Sequence, residues 1–179
     1  MFLHGVLEQT IKKIKTQLAN VLTLTNISLG AFAIIYSLKG HLQLSLLLIF
    51  IAALADRLDG MTARKFNIES ELGKQLDSMS DIISFGVAPA LLVYQGVLFD
   101  LGAPGSFFTV LYIVCGAFRL ARFNITESHG FFTGLPITAA GCILTFSCLW
   151  FAFIPPHIYL FLMLILSVLM IGSFKWRKI

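Results

Sequence analysis

Two stretches, eight residues apart, decide how this chain folds: Asp56-Arg57-Leu58-Asp59-Gly60-Met61-Thr62-Ala63-Arg64 and Gly73-Lys74-Gln75-Leu76-Asp77-Ser78-Met79-Ser80-Asp81. They hold four of the nine acidic side chains and lie between two strongly apolar segments. In a helix, residues three or four positions apart share one face. The spacing therefore places Asp56 with Asp59 on one helix face and Asp77 with Asp81 on another. Two such helices packed together would present four carboxylates to one point.

The composition places this acidic cluster in a membrane protein. Of 179 residues, 58% are hydrophobic and 12% are charged, and the mean hydropathy is +0.88. These values lie outside the range of soluble domains, and the length predicts a single domain, residues 1–179. Because a carboxylate deep in a bilayer costs roughly 2.5–3.5 kcal/mol, a cluster of carboxylates there requires compensating cations and indicates a functional site.

The apolar segments predict an all-α membrane protein with six transmembrane helices after an N-terminal amphipathic surface helix. Apolar residues recur with helical spacing over residues 6–18, with lysines between them, which predicts a helix lying on the membrane surface; a frayed terminus is the alternative. The predicted spans cover about residues 20–38, 42–64, 71–98, 107–122, 133–153 and 157–174. In the third span, Pro89 with Gly86 before it predicts a kink about midway.

The basic residues orient these spans. If the N-terminus is inside, all of the 13 basic residues except Lys39 fall on the inner side, as the positive-inside rule requires. The prediction is a multi-pass protein of the plasma membrane, with both termini and the acidic cluster facing the cytoplasm. The formal net charge of +4 is spread along the span ends, which favours anionic membrane lipids over nucleic acid as partner.

The residue types of the acidic cluster predict a divalent-cation site. All-oxygen ligation suits Mg²⁺, Mn²⁺ or Ca²⁺, and four carboxylates suit two ions about 3.5–4 Å apart, which together clamp a phosphoryl or pyrophosphate group. Gly60, Ala63 and Gly73 leave room for a large ligand against the backbone, and Arg64 offers a planar donor for phosphate. The three cysteines lie in predicted spans without Cys-x-x-Cys spacing, so they predict small core residues rather than a metal or redox site.

The pattern resembles the signature of the CDP-alcohol phosphatidyltransferases, membrane enzymes that move a phosphatidyl group from a CDP-linked lipid onto an alcohol. The matching residues are Asp56, Asp59, Gly60, Ala63, Arg64, Gly73, Asp77 and Asp81. Three more stretches are similar to the small bacterial and archaeal phosphatidylserine synthases of that family. They read Phe85-Gly86-Val87-Ala88-Pro89-Ala90, Arg119-Leu120-Ala121-Arg122-Phe123-Asn124 and Phe132-Thr133-Gly134-Leu135-Pro136.

This resemblance implies transfer of the phosphatidyl group of CDP-diacylglycerol to L-serine by a homodimer that uses two divalent cations, Mg²⁺ or Mn²⁺. One cation would be held by Asp56, Asp59 and Asp77, and the other by Asp56, Asp77 and Asp81, with Asp81 also the general base. The CDP-lipid site would comprise Asn26, Asp56, Gly60, Ala63, Arg64, Ser70 and Gly73. The serine pocket would comprise Arg119, Arg122 and Asn124.

Several alternatives remain open from the sequence. The acceptor can instead be glycerol 3-phosphate or an inositol phosphate, although these would call for more basic residues near the site. An ether-lipid donor would give archaetidylserine. Arg119 and Arg122 can bind lipid headgroups instead of serine. Intramembrane aspartates also occur in cation transporters, but the clustering of carboxylates at one membrane face, without repeats or paired broken helices, argues against transport.

Overall fold

The computed structural model describes residues 2–66, 71–125, 131–172 and 175–177, and this part of the chain is almost entirely helical. Its α-helices are α1 (Phe2–Leu38), α2 (Leu42–Phe66), α3 (Glu71–Asp81), α4 (Ala88–Val93), α5 (Ala103–Ile125), α6 (Ile137–Ser147) and α7 (Pro156–Ile171). The helical segments between them are π-helical at Ile82–Val87 and Tyr94–Leu98 and 3₁₀ at Phe99–Leu101 and Cys148–Trp150. Two short strands, β1 (Phe131–Thr133) and β2 (Lys175–Arg177), pair antiparallel with Phe132 opposite Trp176. The predicted all-α class is confirmed except for this pairing.

The N-terminal segment and the first predicted span form one helix. The backbone of α1 runs without a break from Phe2 to Leu38, because residues 6–29 contain neither proline nor glycine. A boundary near residue 19, which the sequence predicted, is absent from this described backbone. The side chains of the first sixteen residues lie outside the described part, so the amphipathic surface helix stays a prediction.

Within the described part of the chain, three helical segments are long and apolar enough to cross a membrane: Asn20–Leu38, Glu71–Leu101 and Ala103–Ile125. The apolar helices Ile137–Trp150 and Pro156–Ile171 are shorter. The second predicted span corresponds to α2, whose C-terminal half carries the charged residues Asp56, Arg57 and Asp59. The chain is therefore a membrane-associated protein, and the count of six spans stays a prediction.

The fifth predicted span begins later than its hydrophobicity indicated. Prediction placed its start near residue 133, but α6 starts at Ile137, directly after Pro136. Gly134 has a positive φ of 74°, and a Cβ there would lie 2.6 Å from the carbonyl oxygen of Met170. A positive φ this close to α7 favours glycine at position 134. The helix therefore begins only after Pro136.

The third span, Glu71–Leu101, lies at the centre of the bundle. Its α4 segment buries Ala88, Ala90, Leu92 and Val93 completely. Around it, α1 pairs with α2 through a hairpin in which the Ser45 hydroxyl donates to the Ala33 carbonyl at 2.8 Å, and α5 packs beside α7. This arrangement leaves large apolar side chains on the outer surface; Leu54, Phe107 and Phe161 are each more than three-fifths exposed, as expected for lipid-facing positions.

Candidate active site

A cavity of about 440 Å³ opens between α2, the third span and α6. From α2 it is lined by Ala53, Asp56, Arg57 and Gly60. From the third span it is lined by Asp77, Asp81 and Phe85. From α6 it is lined by Thr138, Ala139 and Cys142. Three predicted metal-binding aspartates thus border one space.

The α2 side of the cavity presents Asp56 and, one helical turn later, Gly60. Asp56 accepts a hydrogen bond from the amide nitrogen Nδ2 of Asn26 at 3.3 Å, and Asn26 is only 1% exposed. The other amide atom of Asn26, Oδ1, is buried without a hydrogen-bond partner among the described residues. A buried amide oxygen of this kind suits a ligand donor or cation at the same point.

The third span presents Asp77 and Asp81 four residues apart. Asp77 is exposed, while Asp81 lies deeper and is partly buried. The negative charges of Asp56 and Asp77 act unfavourably on an ionised Asp81, and the positive charge of Arg119 acts favourably. Asp81 is therefore close enough to be repelled by both Asp56 and Asp77, and positive charge at this point would stabilise the ionised carboxylates.

A divalent cation is the natural counter-charge for these carboxylates. Asp56, Asp77 and Asp81 line one cavity, and Asn26 bonds to Asp56. Their carboxylate and amide oxygens are donors of the kind Mg²⁺ and Mn²⁺ prefer. Among the described side chains, however, no three acidic, histidine or cysteine groups form a compact metal-binding cluster. The donor chemistry fits a divalent cation, and its fourth predicted member, Asp59, has a side chain outside the described part.

The remaining predicted CDP-lipid residues are only partly described. Gly73 lies on α3 one turn before Asp77 and is partly buried. Ala63 and Arg64 lie on α2, but their side chains are outside the described part, and Ser70 lies outside the described residues altogether. Their roles in the site stay predictions.

The predicted serine-binding residues, all on α5, have different surroundings. Arg119 is 6% exposed, its guanidinium carbon lies 5.6 Å from the centre of the Phe123 ring, and its Nε has no partner among the described residues. Arg122 donates from Nη1 to the carbonyl of Ile171 at 2.9 Å. Asn124 donates from Nδ2 to the Ser78 hydroxyl at 2.9 Å. Arg122 and Asn124 thus tie α5 to α7 and α3.

Sequence reasoning did not identify the α6 wall of the cavity. Thr138, Ala139 and Cys142 lie at the start of α6, where their spacing places them on one helix face. The nearest signal was the stretch Phe132-Thr133-Gly134-Leu135-Pro136 directly before them, which indicated a family resemblance and not a cavity wall. Arg57, between the two aspartates of α2, also lines the cavity and was not predicted to do so.

Comparison with known proteins gives one consistent family. Residues 16–173 match the family described as CDP-alcohol phosphatidyltransferase. Archaetidylserine synthase of Methanothermobacter thermautotrophicus is 38% identical over 174 residues, covering 94% of this chain and 73% of that protein. CDP-diacylglycerol–serine O-phosphatidyltransferase of Methanocaldococcus jannaschii is 37% identical and covers 94% and 77%. The Bacillus subtilis protein of the same name is 39% identical and covers 69% and 71%.

Proposed function

Since this chain belongs to the CDP-alcohol phosphatidyltransferase family, we propose that its cavity transfers the phosphatidyl group of CDP-diacylglycerol to the hydroxyl of L-serine, giving phosphatidylserine and CMP. The observation that carries this proposal is the convergence of Asp56, Asp77 and Asp81, from two helices, on one cavity of about 440 Å³. The relatives named as serine phosphatidyltransferases support serine as the acceptor. The enzyme is a transferase of phospholipid biosynthesis.

The family is generally dependent on divalent metal ions, and the acidic residues of the cavity are suited to hold them. We assign Asp56, Asp59, Asp77 and Asp81 to two cations, Mg²⁺ or Mn²⁺. Ca²⁺ can substitute for them, because it is also a hard cation that takes oxygen ligands. When bound, these ions would neutralise charge on the diphosphate of the lipid donor. Removing all divalent cations with a chelator is therefore expected to abolish turnover, which a CMP-release assay measures.

Asp81 is the proposed general base. Its carboxylate would accept the proton of the serine hydroxyl as that oxygen forms a bond to the phosphorus of the phosphatidyl group. The bond between this phosphorus and the bridging oxygen of the diphosphate breaks, and CMP leaves with that oxygen. Support comes from the deeper location of Asp81 relative to Asp77, because a base next to the acceptor should be shielded from competing water.

The CDP portion of the donor would lie against α2 and α3. Gly60, Ala63 and Gly73 leave space for the nucleotide, Arg64 and Ser70 would contact its phosphates, and Asn26 would complete this side beside Asp56. The hydrogen bond between Asn26 and Asp56 supports that arrangement, as does the unpartnered amide oxygen of Asn26. The apolar tails would extend past lipid-facing side chains into the bilayer.

The carboxylate of serine requires a cation, and Arg119 has the strongest support for that role. It is nearly fully buried, its Nε lacks a partner among the described residues, and its charge interacts with Asp81. Arg122 and Asn124 remain in the proposed pocket, although each already has a contact on α7 or α3. Glycerol 3-phosphate and inositol phosphate have no comparable support among the named relatives.

Other parts of the proposal concern the whole molecule. We propose that the chain is one catalytic domain with six spans, that it forms a homodimer among membrane lipids, and that its termini and cavity face the cytoplasm of the cell membrane. The placement of basic residues supports this orientation. An ether-lipid donor is a second candidate, favoured by the name of the Methanothermobacter thermautotrophicus relative.

The test is CMP release by the purified protein in detergent with Mn²⁺ or Mg²⁺. Each donor, CDP-diacylglycerol and its ether-linked counterpart, is combined with L-serine, glycerol 3-phosphate, inositol phosphate or no acceptor. Serine-dependent release, with phosphatidylserine as product, is the expected result. Release only with a phosphorylated acceptor would overturn serine as the substrate, while faster release from the ether donor would favour archaetidylserine synthesis.

A further inference from the structure

The third span changes its hydrogen-bond spacing directly after Asp81. Over Ile82–Val87 the helix is π-helical, and the Ala88 N–H donates to the carbonyl of Ile83, five residues back instead of four. Wide turns of this kind are rare and occur frequently at functional sites. Here the wide turn joins the segment with Asp77 and Asp81 to α4, in which every residue but Leu91 is buried.

Pro89 explains why one carbonyl of the wide turn needs an unusual partner. In a regular α-helix, the carbonyl of Phe85 would accept the N–H of residue 89, but proline has no N–H to donate. A buried carbonyl left in this way requires another donor, and in a membrane neighbouring helices supply it. The hydroxyl of Tyr112, on α5, donates to the Phe85 carbonyl at 3.2 Å.

The same carbonyl is enclosed from a second helix. A Cβ on Gly141 of α6 would lie 2.5 Å from the Phe85 oxygen, so only glycine permits this close approach. Tyr112 itself is completely buried. The wide turn is thus held between α5 and α6 at a single main-chain oxygen.

We infer that Tyr112 is a positioning residue: its hydroxyl fixes the wide turn at 82–87 and through it the orientation of Asp81 in the cavity. Asp81 is the last residue before the turn, and Phe85 within the turn lines the same cavity. Adding or removing one residue in a helical turn rotates the residues before that turn, here those of α3, by about 100° relative to the buried segment α4. A turn that fluctuates between hydrogen-bond patterns would therefore misalign Asp81.

This inference rests on the proposed function of Asp81, and Tyr112→Phe tests it because the substitution removes one oxygen and keeps the ring. Tyr159→Phe is the matched control. Tyr159 is 1% exposed and its hydroxyl likewise donates to a main-chain carbonyl, that of Ser147, at 2.8 Å. The two acceptors differ, because Phe85 lines the cavity and Ser147 does not. Both variants lose one hydrogen bond from a buried tyrosine ring to a main-chain carbonyl, so a purely structural role would affect them similarly.

Three quantities are measured for each variant in detergent: kcat and KM for serine-dependent CMP release, Mn²⁺ affinity by titration calorimetry, and Tm. For Tyr112→Phe we expect kcat to fall about tenfold and Mn²⁺ binding to weaken several-fold, with little change in KM for serine. For Tyr159→Phe we expect a similar decrease in Tm with kcat and Mn²⁺ affinity close to wild type. Equal kcat and Mn²⁺ affinity in the two variants would overturn the inference.

A second pair of variants perturbs the same oxygen from α6. Gly141→Ala places a methyl group against the Phe85 carbonyl, whereas Gly116→Ala on α5 meets side-chain atoms alone, those of Ile137 and the sulfur of Met170. Gly141→Ala should lose kcat and Mn²⁺ affinity, and Gly116→Ala should not; the reverse order would count against the inference. Wild-type protein that binds Mn²⁺ but releases no CMP would refute the proposed function, and the Mn²⁺ titrations would still decide the role of Tyr112.

Discussion

The two halves of the third span differ in almost every physical property. In α3, the only buried residue is Ser80, and Asp77 and Asp81 face a cavity together with Asp56. In α4, by contrast, Ala88, Ala90, Leu92 and Val93 are completely buried among neighbouring helices. One continuous helical segment thus passes from a polar, electrostatically unfavourable half to a closely packed apolar half.

The difference indicates how a membrane protein can tolerate clustered carboxylates. Repulsion of Asp81 by Asp56 and Asp77 favours separation of α2 and α3, and Ser80 is the one residue that α3 buries. The packed segment α4 contacts both α2 and α6, so it holds the two walls of the cavity in place. We therefore expect loss of a cavity carboxylate in α3 to change activity and truncation of a buried residue in α4 to change stability. Asp81→Asn and Leu92→Ala test this separation, and Asn26→Ala and Ser78→Ala test two individual hydrogen bonds.

Asp81→Asn should give the largest effect. Losing a general base lowers kcat by about 10²–10⁴-fold, while the shape of the side chain is kept, so the helical content by circular dichroism should not change. Asp100→Asn is the control, since Asp100 is exposed at the opposite end of the span. Near-normal turnover of Asp81→Asn would remove Asp81 from the proposed mechanism.

Leu92→Ala should lower the free energy of unfolding by about 2–5 kcal/mol, as expected when a fully buried leucine is truncated. Thermal unfolding in detergent measures the loss. Its control is Leu54→Ala on α2, where the side chain is 65% exposed and truncation leaves no cavity. If Leu92→Ala lowered kcat in folded protein without lowering stability, α3 and α4 would not have separate roles in activity and stability.

Asn26→Ala should weaken use of the CDP-lipid. It removes the hydrogen bond to Asp56 at 3.3 Å, and a hydrogen bond to a charged group contributes about 1.5–3 kcal/mol, so kcat/KM for the donor should fall by about one to two orders of magnitude. Ser28→Ala on the same helix is the control, because that hydroxyl donates to the Leu24 carbonyl of its own helix. An unchanged kcat/KM would place Asn26 outside the donor site.

Ser78→Ala should have the smallest effect. The Ser78 hydroxyl accepts from Nδ2 of Asn124 at 2.9 Å, and its one proton has two acceptors in reach, the Lys74 carbonyl at 3.1 Å and Oδ1 of Asn124 at 3.3 Å. Loss of the contact with Asn124 should lower stability by about 0.5–1.5 kcal/mol. Because both partners serve the same contact, Asn124→Ala in the Ser78→Ala protein should lower Tm little further. A rise in KM for serine with Asn124→Ala, but not with Ser78→Ala, would support Asn124 as part of the serine pocket.

The helix faces of the site were predictable because they depend on local spacing. Asp77 and Asp81 lie four residues apart in a helix with no breaker between them, and the structure brings both to one cavity with Asp56 and Gly60. The placement of Asn26 beside Asp56, thirty residues away, followed only from the family resemblance. Helical periodicity does not specify which helices become neighbours.

The remaining features depend on contacts between distant parts of the chain. Pro89 and Gly86 predicted a kink in the third span, and the structure has the wide turn at Ile82–Val87 beside them, with the Phe85 carbonyl accepting from Tyr112 of another helix. The pairing of β1 with β2 joins segments more than forty residues apart, so neither strand has a local signal. The α6 wall was missed for the same reason, since nothing around Thr138 indicates that α2 packs opposite it.

The close approach of Gly141 to the Phe85 carbonyl also affects how natural variation in relatives should be interpreted. Any side chain at position 141 would collide with main-chain atoms, so selection for a folded protein alone would keep glycine there. Position 141 is one residue from Cys142, which lines the cavity. An invariant residue beside this site can therefore reflect steric exclusion, and evolutionary constancy by itself would overstate how many residues contact the substrate.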